Sequence, residues 1–480
     1  MKILTTLRNA DRVEKTEIVA LTRRSALKLS LLVAAPWAIS SAHQSSAQNN
    51  DSRKNKKVII IGAGMAGITT AKELLASGYN VTILESRGRS GGRILTSKIG
   101  DIPIDMGAAW IHGDTKENPL IGLVKKHKLQ TAATNWDETW FYSDGTDEIE
   151  DKTFNSIERK AAKVINQIHR IQLEAEKNQS MESTIEKLLS EVRGSSLVKK
   201  GVRWWISSEI EAVSAANYKD LSLYYWDQDE GFEGEDLILL KGYGSLIKKM
   251  SEGVHIEYDK KVESINHGRE GIEISGKWGS INGDLAVVTV PLGVLKADTI
   301  EFTPPLPEEK QRSIHKLKMG LLNKVVIEFD KRFWPSKAHR LGIISNSTSD
   351  RMEFFPARPR SKNAVLVCLN YGDYARSLES KSNQEITDIV LAQLKQMYPQ
   401  LKTSNILDVN VTRWHADPHS RGAYTYVPIN ASLEDCEVLS RPVDKNLLFA
   451  GESTSYYFGT VHGAYLSGLR AAKQAISFLG

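Results

Sequence analysis

Val58-Ile59-Ile60-Ile61 runs into Gly62-Ala63-Gly64-Met65-Ala66-Gly67, and after a helix-like run to Ser77-Gly78 a second apolar stretch, Val81-Thr82-Ile83-Leu84, closes on Glu85. This order reads as a βαβ unit with a glycine fingerprint in its first turn. Gly62 suits the tight turn, Gly64 lets backbone approach a pyrophosphate, and Gly67 allows close helix–strand packing, with Ala66 between them. The free N–H groups and partial positive charge of the helix start favour phosphate there. Glu85, 23 residues after Gly62, stands where a ribose hydroxyl needs an acceptor. Together these features predict a dinucleotide-binding α/β domain rather than a structural glycine turn.

The next residues decide which dinucleotide. Ser86-Arg87-Gly88-Arg89-Ser90-Gly91-Gly92-Arg93 places three arginines in a glycine-rich loop just past the ribose acid. A nicotinamide site has no need of that second anion-binding loop, whereas the long, buried diphosphate of FAD does. Arginine's planar fork suits phosphate bidentately.

The run Glu85-x-Arg87-x-Arg89-x-Gly91-Gly92-Arg93, followed by Asp105-Met106-Gly107-Ala108-Ala109-Trp110-Ile111-His112-Gly113, resembles the flavin amine oxidases. That family includes monoamine oxidases, polyamine oxidases and lysine-specific histone demethylases. Further matches fall in order: Asp227-Gln228-Asp229, Pro291 to Leu295, Met319 to Val325, Arg413-Trp414, Arg421 to Tyr426, and Phe449 to Gly468. The polyamine oxidases are the closest group. The resemblance implies a two-domain fold in which a Rossmann-type FAD domain (56–115, 237–305, 440–480) interleaves with a mixed-sheet-plus-helices substrate domain (116–236, 306–439). It also implies FAD contacts at Gly107, Ala108, Ala109, Trp110, Val262, Trp414, Gly451, Glu452, Thr460 and Val461, beside those of the fingerprint, Arg87, Gly92 and Arg93.

For the chemistry, the resemblance points to Lys324, a lysine within the apolar strand Leu322 to Phe329 that holds a water near flavin N5 in this family. His112 takes the place of a histidine that faces the substrate amine in animal-type and some plant polyamine oxidases. Tyr424 corresponds to one wall of the monoamine oxidase aromatic cage, and Thr460 to the other. A non-aromatic residue there favours polyamines over monoamines. Ala423 occupies the position of covalent flavin attachment, so FAD is expected to be non-covalent. The implied reaction passes hydride from the carbon beside a neutral amine to flavin N5. The imine hydrolyses to an aldehyde, and oxygen returns hydrogen peroxide.

Alternatives remain. L-amino acid oxidation wants an arginine near Gly107-Ala108-Ala109, where Trp110 and His112 stand. Histone demethylation is disfavoured by the lack of a coiled-coil insertion or extra N-terminal domain, and by export. A monoamine oxidase, a dehydrogenase using another electron acceptor, and a flavin-bearing binding protein stay open. Asp227, Asp229, Glu230, Glu233, Glu235 and Asp236 form an acidic cluster, read either as a solvated loop or as a funnel for polycationic amines. Beside it, Tyr224-Tyr225-Trp226 reads as core or as a cation–π surface.

Composition bounds the rest. At 480 residues the chain is long enough for two packed domains. It has no apolar run near the roughly 20 residues of a spanning helix. Cys368 and Cys436 exclude a disulfide framework and a cysteine-rich metal site, and a pairing between them stays open. No metal site is expected. Thr22-Arg23-Arg24-Ser25-Ala26-Leu27-Lys28, the apolar Leu29–Ile39 and small residues to Ala47 resemble a twin-arginine export signal over 1–47. The expected location is therefore outside the cytoplasm, with no membrane anchor after cleavage. Residues 1–47 hold seven Lys/Arg against three Asp/Glu, so they carry +4 of the chain's +5. The remainder has no electrostatic footprint for nucleic acid.

Overall fold

The structure is a computed structural model that describes residues 53–143, 148–227, 231–268, 271–344, 352–359, 362 and 364–480. The export-signal reading of 1–47, and Asp229 and Glu230 of the acidic cluster, lie outside the described residues.

Strands Lys57–Ile61, Asn80–Leu84, Ile256–Glu257, Leu285–Val288 and Leu447–Phe449 form a parallel five-stranded sheet, with the 57–61 strand in the middle. Val58, Ile59, Ile60 and Ile61 are all buried because both faces of this sheet are covered. Val58 and Ile60 point to one core, with helices Met65–Ala76, Gly244–Ser251 and Val461–Leu479. Ile59 and Ile61 point to the other, under an antiparallel meander (Ser264–Gly268, Gly271–Gly276, Gly279–Gly283) and helices Glu308–Lys316 and Leu433–Ser440.

A second sheet has six strands, ordered Ile406–Val411, Leu322–Phe329, Val365–Tyr371, Met352–Pro356, Arg340–Ile344 and Thr139–Ser143. One face packs on helix Asn383–Met397. The other looks towards the parallel sheet and the antiparallel pair Thr96–Ile99 and Ile102–Asp105. Helices Asp151–Glu174, Met181–Ser190 and Ser196–Ser207 form a helical cap with its own apolar core.

The 117–200 stretch reads as mainly helical in sequence and is so, with strands Thr131–Ala133 and Thr139–Ser143 between its first two helices. Thr139–Ser143 pairs in parallel with Arg340–Ile344, a partner about 200 residues away that no local pattern reports. Cys368 and Cys436 are both free and buried in different cores, so the pairing left open by the sequence does not form. Among the described residues no helix is long and apolar enough to cross a membrane, and no cluster of His, Cys, Asp and Glu could hold a metal ion.

Candidate active site

The carboxyl ends of the parallel strands (Ile61, Leu84, Glu85, Thr289, Gly451) open into a continuous cavity of about 860 Å³ that reaches across to the six-stranded sheet and the helical cap. Ligands in open α/β sheets bind at this edge. The volume lies towards the upper end of the range of about 300–1,000 Å³ usual for ligand sites.

At the sheet end, Gly62, Gly64, Ala66, Glu85, Arg87, Gly92 and Arg93 line the cavity. Gly67 stands behind it: a Cβ there would lie 2.0 Å from the Gly62 carbonyl oxygen, so only glycine lets the helix sit this close to the turn. Gly64 caps the helix without a side chain, and a Cβ on it would meet nothing within 4 Å, which leaves a cradle of backbone facing the cavity. Glu85 accepts from Ala63 N (2.8 Å) and Arg87 N (2.9 Å), which fixes its carboxylate beside the fingerprint turn with lone pairs to spare. A second helix start, Val461–Leu479, also points here. Its cap Thr460 accepts from Gly463 N (2.9 Å) and donates to Tyr457 O (2.7 Å). The Thr460 hydroxyl is thus committed to a helix cap, an interaction worth about 1 kcal/mol. These features fit the dinucleotide end of a flavin cofactor.

The arginine loop is more engaged with protein than its sequence suggests. Arg87 donates to Asp417 and to Ser420 Oγ (2.9 Å), and Arg89 to Gly92 O (2.9 Å). Arg93 donates to Glu452 Oε1 (2.7 Å) and Ala423 O (3.0 Å). Glu452 also accepts from Thr425 Oγ1 (3.0 Å) and Gly459 N (2.8 Å). This buried carboxylate braces three chain segments around the cavity, so its part in holding a flavin runs through Arg93 and the backbone.

In the middle of the cavity lie Gly107, Ala108, Ala109, Trp110, Val262, Trp414, Gly451 and Val461. A Cβ on Gly107 would fall 1.8 Å from Arg93 O and 3.3 Å from Trp414 Cζ2. Trp414 is held by Asn323 Oδ1, which accepts from its backbone N (3.0 Å), and by its own donation to Met106 O (3.3 Å).

Lys324 lies in the strand Leu322–Phe329 and is buried. Its Nζ donates to Asp105 O and Gly107 O, both at 2.7 Å, and sits 5.9 Å from the centre of the Trp110 ring. Burial lowers its pKa to about 8, a shift that Asp105 partly opposes. His112 is half-exposed, and its Nδ1 lies 2.9 Å from Asp236 Oδ1. A carboxylate there can only accept, so Nδ1 carries the proton and Nε2 is left with its lone pair. Tyr424 donates to Val213 O (3.0 Å) and lines the cavity with Thr460.

Asp236 corrects the reading of the acidic cluster. It is 2% exposed and pairs with His112 as a strand neighbour as well as through its side chain, while Trp136 Nε1 donates to its second oxygen (2.9 Å). It belongs neither to a solvated loop nor to a funnel. Asp236→Asn is expected to lower amine turnover about 10- to 100-fold, because the amide can present a donor to Nδ1 and favour the wrong tautomer. Asp236→Glu should recover part of the rate. Steady-state assays on flavin-replete variants check this, and equal rates in all three proteins would exclude the role. Asp227 accepts from Gln172 Nε2 (2.8 Å) and pairs with His169 (3.3 Å), while Glu233 is exposed at the cavity. Tyr225 and Trp226 line the cavity, whereas the Tyr224 hydroxyl donates to Ala175 O (2.8 Å).

Sequence reasoning missed the aromatic wall Trp110–Trp136–Phe355, with ring centres 5.6–6.1 Å apart. It also missed a buried pair at the far end, Arg340 with Glu353 (2.7 Å), the arginine also donating to Ser208. These residues come from distant strands and from a π-helical turn, Ser208–Ala212, and no local motif marks them.

Comparison with known proteins agrees with this architecture. Residues 65–476 match the family described as flavin containing amine oxidoreductase. Polyamine oxidase 2 of Arabidopsis thaliana is 32% identical over 436 residues, covering 88% of each chain. Polyamine oxidase 4 of rice (Oryza sativa subsp. japonica) is 32% identical over 433 residues, covering 87% of this chain and 88% of its own. Lysine-specific histone demethylase 1 homolog 2 of A. thaliana is 33% identical over 435 residues, which cover 87% of this chain and 58% of the demethylase. Among solved structures, a putrescine oxidase double mutant redesigned in its cofactor binding has the same fold, with a TM-score of 0.71 at 17% identity, covering 88% of this chain and 99% of its own. The chain belongs to the flavin-containing amine oxidoreductases and is an amine oxidase whose nearest likeness is to the polyamine oxidases.

Proposed function

We propose that this chain oxidises polyamines such as spermine, spermidine or their acetylated forms, using non-covalent FAD and molecular oxygen, after export by the twin-arginine machinery. One observation carries the substrate class: the cavity is also lined by Glu209, Asp227, Glu233 and Glu353 against the fixed cation Arg340. Such a wall attracts polycations and lowers the free energy of holding them. Similarity to plant polyamine oxidases supports the same reading.

When bound, the flavin supplies the two-electron acceptor. The chain's own residues bind the amine, neutralise it and keep bulk water away. His112, with its Nδ1–H donated to Asp236, is oriented so that Nε2 can take a proton from the incoming ammonium and leave an amine with a lone pair. Lys324, above about pH 8, is a neutral amine whose two N–H bonds are used on Asp105 O and Gly107 O. Its own lone pair then faces the remaining direction and can hold a water's proton. The aromatic wall of Trp110, Trp136 and Phe355 supplies an apolar surface for the methylene chain.

Hydrogen peroxide release by the flavin-loaded mature chain tests the reading, with putrescine, spermidine, spermine, their N-acetyl forms, tyramine and several L-amino acids as substrates. Peroxide from spermidine or spermine supports it; peroxide from amino acids alone overturns it. Bleaching of the flavin by amine without air, but no peroxide in air, would assign a different electron acceptor. Cell fractionation of the chain with Arg23 and Arg24 both changed to Lys tests export, and unchanged delivery would exclude the twin-arginine route.

A further inference from the structure

The two carbonyls that hold Lys324 belong to one short bend, Asp105-Met106-Gly107, at the end of the strand Ile102–Asp105. The side chain of Asp105 keeps that bend in place. Thr96, its register partner across the hairpin, donates from Oγ1 to Asp105 Oδ1, and Tyr243 N donates to the same oxygen (2.8 Å). Thr96 Oγ1 accepts in turn from Gly244 N (2.8 Å), which ties the hairpin to the start of helix Gly244–Ser251. The next residue is fixed too, since Met106 N donates to Leu95 O (2.7 Å).

The carboxylate also acts on the lysine through its charge. One O–H and one N–H donor on Oδ1 favour its ionised form, against the upward push of burial. That charge favours the ammonium form of Lys324, against the larger effect of burial. The other ionisable groups around the pair have partners of their own. Arg358 faces Asp105 and donates to Leu240 O (2.7 Å) and Pro103 O (3.3 Å). Glu353, two strands from Lys324 on the same face of the sheet, pairs with Arg340 (2.7 Å), and His112 pairs with Asp236 (2.9 Å). Burial holds the Tyr243 hydroxyl well above its ordinary value.

We propose that Asp105 is the positioning residue for Lys324: its clamped carboxylate fixes the bend that grips the lysine nitrogen and sets a negative charge beside it. This rests on the reading of Lys324 as a proton-handling group, and adds the residue that decides at which pH the lysine can serve. With Asp105 ionised, the neutral amine is present only near and above about pH 8. Without that charge, burial alone governs the lysine and the neutral amine extends to lower pH.

Asp105→Asn tests this, because it removes the charge and keeps an oxygen for Thr96 and Tyr243 N. In flavin-free protein, the melting-temperature difference from the matching Lys324→Met variant should begin to rise at a pH about 0.5–1 lower than in native protein. In flavin-loaded protein, the rate of anaerobic bleaching by spermine at about pH 7, relative to about pH 9.5, should rise about three- to fivefold over the native ratio. Ionisation of spermine is common to all the proteins and cancels in that comparison. Arg358→Gln removes the cation beside Asp105, so both readouts should move in the opposite direction. It also carries the test if Asp105→Asn does not fold. With Lys324→Met in the same chain, the change at Asp105 should leave the bleaching ratio alone. A fall in melting temperature or rate that is equal at every pH, or shifts of the same sign in both variants, overturns the inference. A melting window that moves while the bleaching ratio does not upholds the coupling of Asp105 to Lys324 and removes Lys324 from the proton step instead.

Discussion

Lys324→Met is expected to slow amine-dependent bleaching or reoxidation of the flavin by about 10²- to 10⁴-fold, the range for loss of a positioned proton-handling group. The side chain is nearly isosteric and stays apolar along its stem, so the strand Leu322–Phe329 keeps its packing. What goes is the nitrogen, with its bonds to Asp105 O and Gly107 O. Two buried carbonyls losing donors costs about 1–3 kcal/mol each at most, offset by no longer burying an amine that resists charging. Flavin content and melting temperature separate that structural effect from the chemical one. A flavin-replete variant with unchanged kinetics would remove Lys324 from the reaction.

The same variant reports on pH. The native lysine titrates near 8 against an ordinary 10.5, with burial as the main cause. Between those values the unfolded chain holds a proton that the folded chain has released, so the lysine's contribution to stability rises with pH across this window. Below about 8 both states are protonated, and the full cost of a buried ammonium is present. The melting-temperature difference between native protein and Lys324→Met should therefore shift in favour of the native protein from pH 8 to 10. Activity that needs the neutral amine should rise through about pH 8 in the native protein alone. A difference independent of pH would place the titration elsewhere.

Gly67→Ala is the second large effect. The added methyl would stand 2.0 Å from Gly62 O and 3.0 Å from Thr289 Oγ1, and the latter is itself hydrogen-bonded to Ile61 O (2.8 Å). No flexible side chain can yield, so the helix Met65–Ala76 must back away from the turn. Overpacking of this kind costs about 1–3 kcal/mol, which corresponds to roughly 5- to 150-fold in flavin affinity if the cost falls on the binding-competent form. The apoprotein should also melt lower. Gly64→Ala makes the control: its backbone is in an ordinary conformation and its methyl meets nothing. That change should leave apoprotein stability alone and weaken only flavin binding, through crowding of the phosphate approach. Flavin titration and apoprotein melting of both variants distinguish the two roles. If Gly67→Ala binds flavin as tightly as native protein, the close helix–turn approach does not serve the cofactor.

The dinucleotide half of the molecule was legible because its information is local. Lys57–Ile61, the turn and Met65–Ala76 follow each other without interruption, and each glycine's role comes from contacts within that unit or just across the sheet. Lys324, His112, Trp110, Tyr424 and Thr460 carried motif context on either side, and all five line the one cavity. Thr460 needed the structure for its meaning, since its hydroxyl caps a helix as well as facing the site.

What the chain by itself determined, then, is the parallel sheet, its phosphate-facing turn and the residue types set around a flavin, because short-range periodicity and glycine chemistry specify them. Tertiary structure alone decided which acid serves which partner. Asp236 and Glu233 sit three residues apart in one acidic run, yet one is buried against His112 and the other is exposed at the cavity. Glu353 and Arg340 acquire meaning only when two strands pair and set them on the face that carries Lys324. The physical reason is that a carboxylate's role depends on how much water it keeps and which donors reach it, and both are fixed by strand register across distant segments.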